Sequence, residues 1–273
     1  MTTRTIVSLL APTFLLATAA APDPWTRIPA PPNGCYREDN YEATLDQVHT
    51  AISTDESDQR LINEGISRKI GEMGPELAGK MQEYMMAHPQ EAMQLMQASQ
   101  TAGTAVSDNF ETSQQQRKTL LDERTAIDAR YKAELDRINA PIEKKLEDLD
   151  ARAERIVVGE GYAYSPKSAK EYNLIQAEGD AAYGKLCAAY WTGTGAYPVW
   201  LQRWKAYLVE QVPREEAAET SGNMLMIKML ETPDAKFRPT SSFNYARQYV
   251  EEADKIYRGR DWRRRPKMEG AAP

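Results

Sequence analysis

Residues 114–158 read QQQRKTLLDERTAIDARYKAELDRINAPIEKKLEDLDARAERIVV, and this stretch decides the fold class. It holds no glycine and a single proline. Its apolar residues Ile127, Tyr131, Leu135, Ile138, Ile142, Leu146, Leu149, Ala153 and Ile156 recur in steps of three and four. A period near 3.6 predicts an amphipathic α-helix. Ile127, Ile138 and Leu149 stand 11 residues apart, which fits a straight or slightly right-handed stripe better than strict heptads. Ten basic and ten acidic residues, mixed in sign, lie between Arg117 and Arg155. Asp128–Lys132 and Asp148–Arg152 have the favourable i,i+4 order. Such a surface suits a long helix in water with one face on a partner helix, and it carries no reactive chemistry.

Pro141 interrupts the backbone hydrogen bonding of this helix and crowds the carbonyl of Arg137. Either the helix kinks there or Asn139-Ala140-Pro141 is a turn between two helices. The stripe stays in phase across the proline, which favours a kink. Gly159 and Gly161 end the helix. Ser165-Pro166 then supplies an N-cap and first helical position, and residues 166–191 predict a second long helix with Tyr172, Ile175, Ala182, Leu186 and Ala189 on one face. Two long helices around a glycine break predict an antiparallel, coiled-coil-like hairpin over 105–191.

On either side the pattern remains helical. Residues 38–104 read as short helices, with a fresh start at Ser53–Glu56, a break at Gly74-Pro75 and Pro89 as a first helical position. Residues 192–257 read as C-terminal helices. Thr192–Gly195 is a loop; Trp200, Trp204 and Leu208 share a face expected to pack on the 166–191 helix; Pro213 ends that helix. A last helix capped by Ser242 turns Phe243, Ala246, Val250, Ala253 and Tyr257 inward. No run has strand alternation, and no repeat recurs at fixed period. The expected class is all-α: a compact helical body carrying the long hairpin.

Residues 1–21 have the pattern of a secretory signal peptide: Arg4, an apolar run from Ile6 to Leu16, and small-x-small steps at Ala17–Ala21. A proline-rich, extended lead-in follows over 22–37. Export to a periplasmic or extracellular space would be oxidising, so Cys35 and Cys187 are expected to form a disulfide. Closing a loop of about 150 residues is worth roughly 5 kcal/mol in the chain-entropy estimate. No later stretch is long and apolar enough to span a membrane.

The net charge of −6 argues against a nucleic-acid binder. The chain has two histidines, and HExxH, GxSxG, P-loop, CxxC and dinucleotide-binding signatures are missing. No cofactor is expected. Three stretches are candidates for contact. Met81, Met85, His88, Met93 and Met96 offer soft ligands that would suit Cu(I), or else fill a helical core or line an adaptable groove. The basic tail over 258–273, with Trp262, Arg263, Arg264 and Arg265, would meet an anionic surface or acidic partner, or simply be a solvated terminus. The aromatic helix with Trp200, Trp204 and Tyr207 is core, or else a carbohydrate or peptide groove. The function expected is non-enzymatic: an exported structural or partner-binding protein that meets another envelope protein, or itself, through the hairpin. The alternatives are a copper-binding protein and a carboxylate-based hydrolase, a class that leaves no local signature.

Overall fold

The amphipathic stripe that begins in the quoted stretch belongs to a helix longer than the stretch itself. In a computed structural model, which describes residues 23–31, 40–158, 161–229 and 237–260, helix α3 runs unbroken from Pro89 to Arg152. Its 64 residues make a rod of ~96 Å at the α-helical rise. Gly103 and Pro141 both lie inside it. Pro141 is exposed, so its ring lies on the solvent side of the helix, where water can reach the carbonyl it leaves without a donor. One helix spans the proline, and the alternative of a turn between two helices is excluded.

Two helices precede α3: α1 (Tyr41–Glu72) and α2 (Glu76–Ala87). The break at Gly74 is real, with φ of 47° suited to glycine. The predicted fresh start at Ser53–Glu56 is not. The hydroxyls of Thr50 and Thr54 bond back to the carbonyls four residues earlier, which serves a continuing helix as well as a cap. The short helices expected over 38–104 are thus one helix of 32 residues, a short one and the first part of α3.

After α3 comes a feature that the sequence reading lacks. Strands β1 (Arg155–Val158) and β2 (Gly161–Tyr164) pair antiparallel, with Arg155 opposite Tyr164 and Val158 opposite Gly161. Helix α3 therefore ends at Arg152, ahead of the glycines. The β-branched run Ile156–Val158 is too short to show alternation, but it suits a hairpin. Helix α4 (Pro166–Tyr190) then returns along α3, and the Ser165 hydroxyl accepts from the Ser168 amide at its start. Cross-links hold the register. Tyr190 donates to Glu134 at 2.9 Å, Lys145 meets Glu178 at 2.5 Å, and Arg152 pairs with Glu171.

Helix α5 (Ala196–Met229) passes through Pro213, which is exposed and does not stop it. Helix α6 (Ser241–Arg258) closes the body. The aromatic face of α5 packs chiefly against α3, not α4 as expected; the Trp200 indole donates to the Leu120 carbonyl at 2.7 Å. The five residues expected to face inward on α6 are all buried, against Leu45 and Ile52 of α1 among others. One large core thus joins α1, α5, α6, the middle of α3 and the end of α4. A second, small cluster of Ile142, Leu149 and Ile175 lies further out between α3 and α4. Among the described residues no helix is long and apolar enough to cross a membrane.

Candidate functional site

Helices α2 and α3 meet at His88 and Pro89 and leave an open groove of about 920 Å³. Met85, Met93 and Met96 line it, with Ala92 at its floor. Met93 is 70% and Met96 54% exposed, a large apolar exposure for unbranched side chains. Met81 and His88 do not line the groove; the His88 ring instead lies 5.0 Å from that of Tyr84. The junction is braced from outside. Glu91 accepts from Lys228 of α5 at 2.8 Å, and the Lys228 and Tyr84 hydrogen bonds hold the Glu91 carboxyl below its ordinary range. Among the described residues no group of three or more His, Cys, Asp or Glu side chains is placed to hold a metal ion.

The expected basic tail divides at residue 261. Arg258 belongs to α6 and pairs with Asp46 and Asp254. Arg260 is fully buried, donating to Glu42 at 3.0 Å and to the Tyr257 carbonyl at 3.1 Å. Both therefore belong to the folded body rather than to a free tail. Trp262, Arg263, Arg264 and Arg265 lie outside the described residues. So does Cys35; Cys187 is buried on α4, and no free cysteine occurs among the described residues.

Trp200, Trp204 and Tyr207 stack in series along α5, with ring centroids 5.6 and 5.4 Å apart. The two tryptophans are core. Tyr207 ends the series between two concavities. On one side an open groove of about 730 Å³ runs between α3 and α5 past Gln115, Thr119 and Arg203. On the other is a smaller cavity of about 240 Å³ where α3, α5 and α6 converge. Its wall is polar. The Tyr207 hydroxyl lies 3.0 Å from that of Ser113, and the Tyr245 hydroxyl donates to Glu215 at 2.5 Å. Burial, and then Glu215, push the Tyr245 phenol well above its ordinary value, so it stays a neutral donor. Arg214 pairs with Glu210 at 3.2 Å and reaches Gln211 at 3.5 Å. Arg117, exposed at the mouth, forms no hydrogen bond or ion pair among the described residues. No stretch of sequence could announce this cavity, because its residues come from positions between 106 and 248 on three helices. The one local signal was Tyr207 in the aromatic helix.

Four carboxylates of α5 and α6 make contacts within the fold. Glu252 is paired with Arg124 and Lys255, and Glu251 lies 3.5 Å from His49. Glu216 and Glu219 cap the start of α6. Glu219 accepts from the Thr240 amide and the Ser241 hydroxyl, and Glu216 accepts from the Ser242 amide. Burial, together with Glu219 and Asp23 nearby, raises the Glu216 carboxyl above its ordinary range. Comparison with protein-family models, curated proteins and solved structures returns no significant match.

Proposed function

We propose that this chain is an exported, non-enzymatic binding protein, and that its partner is an envelope protein presenting an apolar helical face to the groove between α2 and α3. The observation that carries this reading is the exposure of Met93 and Met96 beside Met85 along one open groove. Methionine side chains are flexible and polarisable, and they repack against varied apolar surfaces. A groove that holds an amphipathic helix reads its anchors at i, i+3 and i+4 spacing. Export rests on the residue pattern of the first 21 positions. The proposed Cys35–Cys187 disulfide follows from export, and the burial of Cys187 supports it.

Photocross-linking from position 93 in the native envelope tests this reading, with position 174 on α4 as a control of similar exposure. A discrete protein adduct at 93, weakened by Met96→Asp, is expected. Equal labelling from both positions sinks the reading. Three thioethers on one groove also support a Cu(I) site. Replacing Met85, Met93 and Met96 together by leucine separates the two readings: apolar docking survives, whereas copper retained through equilibrium dialysis is lost.

A further inference from the structure

The cavity shared by α3, α5 and α6 has a chemistry that the protein-docking reading does not use. Its volume of about 240 Å³ falls below the roughly 300–1,000 Å³ typical of drug-sized ligand pockets. Arg117 and Arg214 both line it. Arg117 has no hydrogen-bond or ion-pair partner among the described residues, whereas Arg214 is already paired with Glu210 at 3.2 Å, which leaves Arg117 as the uncommitted cation of the wall. A planar fork of donors matches a carboxylate in two-point geometry. The remaining wall is made largely of neutral hydroxyls and amides, Ser113, Tyr207, Gln211 and Gln248 among them. These groups both donate and accept, as a ligand's hydroxyl groups require. Glu215 is the one acidic group on the wall, and it already accepts from Tyr245. Its charge opposes a multiply charged anion such as phosphate, while the two arginines oppose a cation. Phe110, 59% exposed at the mouth, offers an apolar edge to a carbon skeleton.

We infer that this cavity binds a small hydroxylated carboxylate, of the sugar-acid or hydroxy-acid class, with Arg117 as its principal carboxylate contact. The inference does not depend on the methionine groove. Isothermal titration of the full mature chain tests it with galacturonate, gluconate and lactate, against galactose and sulfate. At least one carboxylate should bind at least tenfold more tightly than both galactose and sulfate. Arg117→Met should weaken that binding at least tenfold, and Arg117→Lys should weaken it less, because the charge remains and the fork is lost. Arg117 is exposed, so neither variant threatens the fold; identical melting curves check this. Three results overturn the assignment: no carboxylate binds, galactose or sulfate binds as tightly, or Arg117→Met leaves the affinity unchanged. A uronic acid within a polymer presents the same group, and trigalacturonate separates the sources. Tighter binding than galacturonate marks a polymer end, and weaker binding marks the free acid; either result supports the carboxylate site.

Discussion

Arg258 and Arg260 are two residues apart and have the same charge, yet their surroundings give them different weights. Arg258 is 47% exposed, and its partners Asp46 and Asp254 are 64% and 26% exposed. Water screens such pairs, so Arg258→Ala should cost no more than about 1 kcal/mol. Arg260 is fully enclosed, and the Glu42 carboxylate it meets is 17% exposed. Its guanidinium also lies 5.1 Å from the Tyr257 ring. Arg260→Ala leaves Glu42 half-sequestered without its cation, and should cost about 3 kcal/mol. Urea denaturation of the two variants measures this contrast, and equal losses would contradict it. Glu216 carries a prediction of pH dependence. Its carboxyl is raised in the folded chain, so the proton it holds favours folding at acid pH, and that contribution is lost as pH rises through the raised value. Glu216→Gln keeps an acceptor for the Ser242 amide and removes the charge. The variant should melt higher than the parent near pH ~7 and no higher near pH ~4, where an ordinary carboxyl is largely protonated.

At the scale of elements, the sequence showed periodicity clearly and punctuation poorly. The stripe from Ile127 to Leu149 was legible, and every residue in it that faces α4 or α5 is buried or half-buried. The proline and threonine signals were not, because their effect depends on which side of a helix they occupy. Pro141 and Pro213 are both exposed and lie inside continuous helices; on the solvent side of a helix, water can take the place of the lost donor. The Arg155–Val158 strand was hidden for another reason: four residues are too few to show a period of two. The polar cavity was illegible because its wall is assembled from three helices. The tolerance of Pro141 still has a cost. Restoring the amide with Pro141→Ala should stabilise the outer part of α3 by about 1–3 kcal/mol, within the known penalty for an interior proline. Hydrogen exchange of residues 137–152 reads this directly. Unchanged protection there would mean that the backbone is already relaxed around the ring.

On the scale of the whole molecule, the two hydrophobic clusters set what the long hairpin can do. The main core takes Leu120, Ile127, Tyr131 and Leu135 from α3 and Tyr183 and Leu186 from α4, whereas Ile142, Leu149 and Ile175 form the separate outer cluster. The hairpin is therefore part of the body over its inner half and an arm over its outer half. Deleting residues 114–158 would remove four core side chains and unfold the protein, so that deletion says nothing about binding. The informative cut follows the register. Lys145 faces Glu178, so the chain can be joined across residues 144–179 by a short turn without displacing the main core. The shortened protein should keep a cooperative melt within about 4 °C of the parent, because the outer cluster adds little to the stability of the rest. A lost or broadened transition would show instead that arm and body fold as one unit. The same variant locates the protein partner. If the methionine groove is the docking surface, cross-linking from position 93 persists without the arm. If the arm is the contact, as the sequence alone led one to expect, the adduct disappears while the fold remains.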